Sequence, residues 1–466
     1  MITLHETITC ERSAADCYRY LLDFSTCEQW DPGVDRAEKL TPGAVGPGSR
    51  FALRLATPGG NTAMEYELLE AEPNRRLRLE GRGERFAAED DIHFTAEDAS
   101  TTRIDYQATL RFGGVMSSVD RVLAPWLRHM GRQAVSGLAH ALTDPTPPAA
   151  PRRATLLADR LILPAMQRFT AHGYRRLPHK GLNQTMDGKT VLVTGPTSGL
   201  GLAAASEFAR LGARVVLVGR DNARLDRARD QILAFSGAPR DRLISYAAEL
   251  SLQAEVHAVA REILSFKPRI DVLVNNAGAL FAEHGETTEG FERTLAINLL
   301  APWRLTEDLL PALRQSSARV INVASGGMYL QPLKLDDMGF EKELFDGTKA
   351  YARCKRALVA LTEHWAAQTE NRGMQFHAMH PGWAATPGVA RSLPAFHRKL
   401  EGRLRDARMG ADTICWLGST RALEPGHNGL FWFDREPHPT AVLPKTRVTA
   451  TRRAALVAWL EEQAPA

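Results

Sequence analysis

From residue 189 onward, short apolar runs alternate with segments of helical periodicity. The runs include "TVLVTG", "RVVLVG", "DVLVNN" and "RVINVAS", and each is rich in Val or Ile and followed by a helix-like stretch. Continuous apolar runs are typical of strands that are buried on both faces, as in a parallel sheet covered by crossover helices. We therefore expect an α/β unit with a doubly wound parallel sheet.

The first of these runs leads into a glycine-rich turn and then an alanine-rich segment, "TGPTSGLGLAAASEF". Gly195, Gly199 and Gly201 would let the backbone approach a pyrophosphate group at the N-terminus of a helix. Their spacing, G-x-x-x-G-x-G, is one residue longer than the commonest dinucleotide fingerprint. Any tight turn uses glycine, but the position between a buried strand and a helix favours dinucleotide binding in a Rossmann-type sheet.

The end of the second run indicates which dinucleotide is bound. An acidic residue there would hold the ribose 2′-hydroxyl of NAD. This chain has Gly219 followed by Arg220, and a guanidinium group suits the 2′-phosphate of NADP. We therefore expect NADP(H), while Asp221, the next residue, leaves NAD(H) open as the less favoured cofactor.

Five motifs occur together and in order. They are "TGPTSGLG", "NNAG", "AINLLAP" with Asn298, "NVASGG" with Ser325, and Tyr351-x-x-x-Lys355. Over residues 181–435 this set resembles the short-chain dehydrogenase/reductase family. The segments "MHPGWAATPGV", "FDGTKAYARCKRA" and "FWFDREPHPTAVLPKTR" are most similar to its orphan member-twelve branch, and retinol dehydrogenase-like enzymes are more distant relatives.

Tyr351 and Lys355 are four residues apart, so on a helix they share one face and can reach one reacting centre. A phenol has an ordinary pKa of about 10, and we expect the ammonium group and an oxidised nicotinamide to lower it. The resemblance further implies that Lys355 holds the nicotinamide ribose, Ser325 binds the substrate oxygen, and Asn298 orders a water path to Lys355.

The resemblance also implies a set of cofactor-binding residues. These are Gly195, Thr197, Ser198, Gly199, Leu200, Gly201, Arg220, Glu249, Leu250, Asn276, Ala277, Gly278, Tyr351, Lys355, Pro381, Gly382 and Thr386. The chain departs from common family usage at Pro196, where alanine is frequent, and at Glu249, where an aspartate often contacts adenine. Residues 389–405 are expected to form a mobile helical lid over the substrate.

The first third of the chain has a different periodicity. Apolar and polar residues alternate over 103–112 and around 51–55 and 77–79, as in sheet strands with one solvated face. Helical spacing predicts an early helix near 13–22 and a long one over 115–142. The pattern resembles the helix-grip fold of the START/polyketide-cyclase superfamily, an α+β fold with an apolar cavity. A ligand cavity and a solid core both remain open, and the histidines there form no catalytic constellation.

Four prolines in "TDPTPPAAPRR" predict a linker. The predicted organisation is a helix-grip domain over 1–142, a linker and connecting helix over 143–180, and the NADP-binding catalytic domain with its C-terminal tail over 181–466. The connecting segment 153–177 mixes leucine with arginine, and it suits either a packed helix or a helix lying on a membrane surface.

Charge and cysteine content exclude several classes of function. Lys and Arg number 58 against 54 Asp and Glu, which is too even for a nucleic-acid-binding protein. The 5 cysteines form no C-x-x-C pair, so we expect no metal site and buried thiols in a reducing, cytoplasmic compartment. No apolar run is long enough to span a bilayer. Peripheral membrane contact and homo-oligomer formation remain open.

Together these features predict an NADP(H)-dependent oxidoreductase. It would transfer hydride between nicotinamide and a carbonyl or alcohol substrate, expected to be a hydrophobic small molecule, through a Ser-Tyr-Lys-Asn site. The alternative is a non-catalytic NADPH sensor or lipid carrier, with a lipid in the N-terminal domain. A sensor would not need Ser325, Tyr351 and Lys355 together, which favours the enzyme.

Overall fold

The computed structural model describes residues 2–57, 60–84, 86–112, 120–143, 146–152, 155, 167–177, 181–182, 184–266 and 269–463. The chain divides into two compact units. The first comprises Met1–Pro145, Pro178–Thr185 and Ala234–Gly237, and the second comprises Thr146–Leu177, Met186–Leu233 and Ala238–Ala466. The first unit therefore takes in two short segments from beyond residue 142.

The first unit is an antiparallel sheet with helices. Its strands are β1 (Ile2–Cys10), β2 (Val34–Lys39), β3 (Arg50–Thr57), β4 (Gly60–Glu72), β5 (Arg76–Gly83), β6 (Phe86–Ala96) and β7 (Thr102–Phe112), and its helices are α1 (Ala14–Leu22), α2 (Cys27–Trp30) and α3 (Asp120–Leu142). The strands lie in the order β1-β7-β6-β5-β4-β3-β2, with every neighbouring pair antiparallel. This arrangement confirms the predicted α+β fold.

Alternation places the apolar side chains of these strands in one core. The apolar side chains on the inward face of these strands are buried, among them Phe51, Leu53, Met64, Tyr66, Ile104 and Tyr106. Helix α1 begins where predicted, because the Ser13 side chain accepts a hydrogen bond from the Asp16 N–H and so caps the first turn. Helix α3 is also confirmed over its described residues. Near its end Leu138, Ala141 and Leu142 are buried in the same core.

The second unit is built on a mostly parallel sheet. Its strands are β8 (Thr190–Thr194), β9 (Arg214–Gly219), β10 (Leu243–Ala247), β11 (Val272–Asn275), β12 (Arg319–Val323), β13 (Gln375–His380), β14 (Phe431–Phe433) and β15 (Glu436–His438). Their order is β10-β9-β8-β11-β12-β13-β14-β15, parallel throughout except for the antiparallel β14–β15 pair. The first six strands are those predicted from the apolar runs, which also include "RLISYAAEL" at β10 and "MQFHAMHPG" at β13.

Helices connect these strands. They are α4 (Ala171–Arg175), α5 (Gly199–Arg210), α6 (Asn222–Ser236), α7 (Gln253–Ser265), α8 (Arg293–Leu295), α9 (Ala301–Gln315), α10 (Gly347–Ala367), α11 (Pro387–Ser392), α12 (Pro394–Lys399), α13 (Ala407–Ser419) and α14 (Ala450–Gln463). A π-helical turn covers Ala296–Leu300, and a 3₁₀ turn covers Gly326–Leu330.

The strand order reverses direction between β8 and β11, because β9 and β10 lie on one side of β8 and the later strands on the other. In such sheets a ligand binds outside the carboxyl ends of the strands at this switch point. The glycine turn follows β8 and "NNAG" follows β11. The fold thus brings these two motifs to the same edge of the sheet.

Some predictions fall partly or wholly outside the described residues. Of the apolar residues whose helical spacing predicts the long helix over 115–142, Val119 and the side chains of Val122, Leu123, Trp126 and Leu127 lie outside the described residues. So do part of the proline-rich linker and most of the connecting segment 153–177, including Pro164, which would kink a helix there. Within the described part, segment 167–177 contains α4.

All five cysteines are buried free thiols, as expected. Of the described helices, none combines the length and the apolar character needed to cross a bilayer.

Candidate active site

The glycine turn is folded as a cradle at the carboxyl end of β8. Gly195 and Gly199 have positive φ angles of 65° and 55°, in the left-handed region that favours glycine. At Gly201 a side chain is excluded by lack of space, because a Cβ there would lie 2.2 Å from the Gly195 carbonyl oxygen. All three glycines are therefore required by the geometry of this turn.

Asn276 holds the cradle to the next strand. Its side-chain amide donates to the carbonyl oxygens of Thr194, at 2.8 Å, and Gly195, at 3.3 Å. In return the Thr194 hydroxyl oxygen accepts from the backbone N–H groups of Asn276 and Ala277, each at 3.0 Å. The two motifs that were predicted to bind one dinucleotide are thus joined by a hydrogen-bonded network.

Helix α5 begins at the cradle without a side-chain cap. Ser198 occupies the N-cap position, and its side chain makes no capping hydrogen bond. Thr197 lies beside the end of β9, since a Cβ on Gly219 would come within 3.7 Å of its methyl group. Leu200 packs against α13, where a Cβ on Gly410 would lie 2.5 Å from its Cδ2. The Ser198 side chain therefore does not satisfy the first N–H groups of α5, and a helix N-terminus of this kind can bind an anionic group.

Arg220 follows β9 and is largely exposed, with its guanidinium Nη1 3.6 Å from Glu249 Oε2. Asp221, which left NAD(H) open in the sequence, has another role here, because its carboxylate accepts from the Arg224 N–H at 2.8 Å and caps α6. Glu249 accepts from the Ser251 hydroxyl at 2.8 Å. Leu250, beside it, is buried. The positive charge at this strand end is therefore the guanidinium of Arg220, beside Glu249.

Tyr351 and Lys355 lie in the first half of α10. Asp346 caps this helix by accepting from the Thr348 and Lys349 N–H groups. Lys355 is 3% exposed, its Nζ donates to the Val323 carbonyl at 2.9 Å, and the same nitrogen is 5.4 Å from the centroid of the Tyr351 ring. The predicted sharing of one helix face is observed.

Asn298 lies in the π-helical turn, which distorts the helix at this residue. Its amide nitrogen donates to the carbonyls of Ala279, at 2.6 Å, and Thr294, at 2.8 Å. Its Oδ1 is buried without a hydrogen-bond partner among the described residues. A Cβ on Gly278 would lie 2.6 Å from this oxygen and 3.3 Å from Lys355 Nζ. Asn298 and Lys355 therefore approach the same glycine.

Ser325 follows β12 and caps the 3₁₀ turn, with its hydroxyl oxygen accepting from the Gly327 N–H at 3.3 Å. A Cβ on Gly327 would lie 3.6 Å from the Ser325 hydroxyl and 3.7 Å from Ala352 Cβ. Since Ala352 directly follows Tyr351, the serine lies beside the first half of α10. The four predicted catalytic residues are thus gathered at the carboxyl ends of β11 and β12.

Burial dominates the electrostatics of this site. Burial lowers the pKa of Lys355 to about 8 and, together with the neighbouring Cys354 thiol, raises the pKa of Tyr351 to about 12. The sequence led us to expect a lowered phenol pKa. In the protein without cofactor the pKa is instead raised, mainly by desolvation of the phenolate. The expectation includes an oxidised nicotinamide and stays a prediction for the complex with cofactor.

Residues after β13 complete the edge of the site. Gly382 has a φ of 77°, and a Cβ on it would strike the Arg405 side chain. Thr386 caps α11, and a Cβ on Gly199 would lie 3.1 Å from its methyl group. The N-terminal cap of α11 therefore packs against the glycine cradle.

The predicted lid over 389–405 is not one helix. It consists of α11 and α12, which are separated at Leu393 because Pro394 begins a new helix. Its end is anchored, since Arg405 is 1% exposed and forms a two-pronged ion pair with Asp434 at 2.5 and 2.8 Å. The Arg405 guanidinium also donates to the Phe169 carbonyl at 3.1 Å.

Sequence reasoning missed His380, which ends β13 beneath the 3₁₀ turn. Its Nδ1 accepts from the Gly326 N–H at 3.1 Å, directly after Ser325. Burial lowers the pKa of His380 to about 3, so the ring is neutral. The signal in the sequence was its place in "MHPG", at the end of a buried strand.

The residues fit a dinucleotide. The cradle requires glycine at three positions, Gly195 and Gly199 because of their positive φ angles and Gly201 for lack of space, and the N-cap side chain makes no capping hydrogen bond to α5. After β11, the Asn298 Oδ1 has no hydrogen-bond partner among the described residues and lies near Gly278, as does Lys355 Nζ. This oxygen can accept a hydrogen bond from a bound molecule. Of the described residues, no group of His, Cys, Asp and Glu could hold a metal ion.

Comparison with known proteins agrees with this geometry. Residues 189–395 match the family model "short chain dehydrogenase", and residues 1–143 match "Polyketide cyclase / dehydrase and lipid transport". The chain is 38% identical to dehydrogenase/reductase SDR family member 12 of Bos taurus, over 64% of this chain and 95% of that protein. It is 32% identical to retinol dehydrogenase 14 of Mus musculus, over 58% of this chain and 85% of that protein.

The relative that is 38% identical is matched over 95% of its own length, which shows the family to which this chain belongs. The same relative leaves about a third of this chain unmatched, and the cyclase-like model accounts for the first 143 residues. The chain therefore belongs to the short-chain dehydrogenase/reductase family of NAD(P)-dependent oxidoreductases, and its Rossmann-type catalytic domain is preceded by a polyketide cyclase-like domain.

Proposed function

We propose that the protein is an NADP(H)-dependent reductase of lipophilic carbonyl compounds, with Asn298, Ser325, Tyr351 and Lys355 as its catalytic residues. The observation that carries this proposal is the approach of Lys355 to Tyr351 and, around Gly278, to Asn298. These contacts join a proton donor, a cation and an unpartnered carbonyl oxygen at one sheet edge. The bound nicotinamide would supply the hydride.

Each residue has a distinct part in the reaction. The Ser325 hydroxyl donates a hydrogen bond to the substrate carbonyl oxygen and positions it beside α10. The Tyr351 hydroxyl gives its proton to this oxygen as the carbonyl carbon is reduced. The Lys355 ammonium group stabilises the negative charge that develops on the phenol oxygen. The Asn298 Oδ1 accepts from a water molecule that returns a proton toward Lys355.

The protonation state of Tyr351 suits a proton donor. Burial raises the pKa of its phenol to about 12 in the protein without cofactor, so the hydroxyl is protonated near neutrality, as carbonyl reduction with NADPH requires. The same residues can oxidise an alcohol when NADP⁺ is bound, because the positive charge of the nicotinamide then favours the phenolate.

The names of the relatives and of the family model for the first domain support a lipophilic substrate. Retinol dehydrogenases are named for a long apolar alcohol, and the family model over 1–143 is named for cyclases and lipid transport. We propose the domain boundaries 1–142, 143–180 and 181–466, with the first domain binding a hydrophobic ligand. The rival function is a carrier that binds NADPH only to set its ligand affinity.

Replacing Arg220 by alanine should change the cofactor preference. Because the guanidinium is exposed and no other cation directly follows β9, we expect NADPH affinity to fall by about 1.5–3 kcal/mol, the usual contribution of a charge-assisted hydrogen bond. NADH affinity should be nearly unchanged. Fluorescence titration of both cofactors measures this. Arg227→Ala, on the exposed face of α6, is the control for loss of one positive charge. If Arg220→Ala lowers the affinity for NADPH and for NADH equally, Arg220 stabilises the fold and does not bind the 2′-phosphate.

Cofactor affinity should also depend on pH. Lys355 carries its charge below its pKa of about 8, so the ammonium form that holds the cofactor is lost as the pH rises through that value. We expect the Kd for NADPH to rise by about tenfold per pH unit above this point, as for loss of one proton. Titrations between pH 7 and 9.5 test this. A Lys355→Met variant should bind weakly at every pH, and a wild-type Kd that does not change would contradict the role of Lys355.

A further inference from the structure

The backbone is fixed on both sides of Ser325 by consecutive residues of β13. Before the serine, the Ala324 N–H donates to the Met379 carbonyl at 2.8 Å, where the pairing of β12 with β13 ends. After the serine, the Gly326 N–H donates at 3.1 Å to Nδ1 of His380, the last residue of β13. A side chain therefore provides the acceptor just beyond the point where the main-chain pairing of the two strands stops.

His380 is a polar residue in apolar surroundings. Its side chain is 4% exposed and contacts two aromatic rings, Phe169 with centroids 4.8 Å apart and Phe433 with centroids 5.3 Å apart. Because the ring is neutral and Nδ1 accepts from Gly326, the proton is on Nε2. Among the described residues, Nε2 has no hydrogen-bond partner. An apolar side chain would fill the same position without leaving a buried donor unsatisfied.

Gly326 is adapted to the imidazole ring. A Cβ there would lie 3.0 Å from His380 Nε2 and 3.4 Å from Cδ2 and Cε1, so a side chain would press on the ring. Glycine lets the backbone lie against the ring, with its N–H group directed to Nδ1. The same strand end is also tied to α10, because Lys355 Nζ donates to the Val323 carbonyl at 2.9 Å. Ser325 thus lies between a contact with α10 and a contact with His380.

We propose that His380 is a positioning residue for carbonyl reduction, which holds the Ser325 hydroxyl in place beside Tyr351 through its hydrogen bond with Gly326. The inference rests on the proposed function, because it assigns a further residue to the same site. His380 acts through the serine and not on the substrate. Since a displacement of about 1 Å can lower a rate by about 10²-fold, a contact at the residue next to the serine is close enough to affect the chemical step.

Two substitutions separate the acceptor from the ring. Asparagine carries its Oδ1 on the same Cγ atom that carries Nδ1 in histidine, so His380→Asn keeps an acceptor for the Gly326 N–H. Leucine has a methyl group at that point, so His380→Leu removes the acceptor. Both variants lose the contacts with the two phenylalanine rings. The control is His377→Leu, on the opposite face of the same strand, where the buried ring accepts from Trp432 Nε1 at 3.2 Å.

Hydrogen–deuterium exchange at the Gly326 amide, resolved to single residues by electron-transfer fragmentation, tests the contact without turnover. In the wild type this amide should exchange at least about tenfold more slowly than an unprotected glycine amide. His380→Leu should lose the protection, while His380→Asn and His377→Leu should keep most of it. Thermal unfolding checks that each variant is folded. Equal protection in all folded variants would overturn the proposal, and so would exchange at the unprotected rate in the wild type, even if His380→Leu does not fold.

A double-mutant cycle with Ser325→Ala tests whether His380 acts through the serine. The carbonyl probes are decanal, 2-decanone and 4-nitrobenzaldehyde, at saturating NADPH. We expect kcat/KM to fall about tenfold in His380→Leu, as for loss of one hydrogen bond, and less than about threefold in His380→Asn. The Kd for NADPH should change less than about twofold in both. In the Ser325→Ala background, His380→Leu should have no further effect on kcat/KM.

The outcomes separate this role from the proposed function. Equal losses in His380→Leu and His380→Asn would assign the effect to ring packing, and losses that add to those of Ser325→Ala would show that His380 does not act through the serine. Either result, in a wild type that reduces the probes, would overturn only the role of His380. A wild type that reduces none of them would overturn the proposed function and this role with it.

Discussion

Tyr351→Phe should lose nearly all carbonyl reduction while keeping NADPH affinity. The substitution removes only the hydroxyl group, and a positioned general acid contributes about 10²–10⁴-fold to rate. We expect kcat to fall by about 10³-fold, with the NADPH Kd changed less than about twofold because Lys355 and the glycine cradle are intact. Stopped-flow turnover and fluorescence titration separate the two quantities.

The control is Tyr329→Phe, which also removes one phenol hydroxyl. The Tyr329 hydroxyl donates to the Pro439 carbonyl at 2.7 Å, so its loss should lower stability slightly and leave the chemical step unchanged. A Tyr351→Phe variant that reduces carbonyls at the wild-type rate would remove Tyr351 from the role of proton donor.

Lys355→Ala should damage both cofactor binding and turnover. The ammonium group is buried beside Tyr351 and the unpartnered Asn298 oxygen, so its charge serves the cofactor and the proton transfer together. We expect NADPH affinity to fall by about 10–100-fold, the range for a lost charge-assisted hydrogen bond. At saturating NADPH, kcat should still be reduced by at least about tenfold.

The matched control is Lys349→Ala, in the first turn of the same helix. Lys349 is exposed and lies 3.9 Å from the Asp346 carboxylate, so its removal changes net charge without touching the site. A Lys355→Ala variant with normal turnover at saturating NADPH would limit Lys355 to cofactor binding.

Much of this site could be predicted because its residues lie in short motifs with fixed local geometry. A glycine turn between a buried strand and a helix has few conformations, so Gly195, Gly199 and Gly201 indicated the cradle directly. The four-residue spacing of Tyr351 and Lys355 fixed their common helix face. The parallel sheet then brings motifs that follow different strands to one edge.

Other features depend on contacts that the sequence does not show. Strands β14 and β15 have three residues each, too few to give a period, and were interpreted as part of a tail. The ion pair of Arg405 with Asp434 joins distant segments. The pKa of Tyr351 depends on how completely the phenol is desolvated, which follows from packing and not from the nearby lysine.

Transfer of deuterium from NADPH labelled at nicotinamide C4 tests the central claim most directly. The wild type would be incubated with each label stereoisomer and with a panel of apolar aldehydes and ketones, and the alcohols analysed by mass spectrometry. We predict an alcohol that carries one deuterium on the former carbonyl carbon from one stereoisomer only, formed about 10³-fold more slowly by Tyr351→Phe. Tight NADPH binding by the wild type with no labelled alcohol from any carbonyl compound would contradict the reductase and favour the carrier.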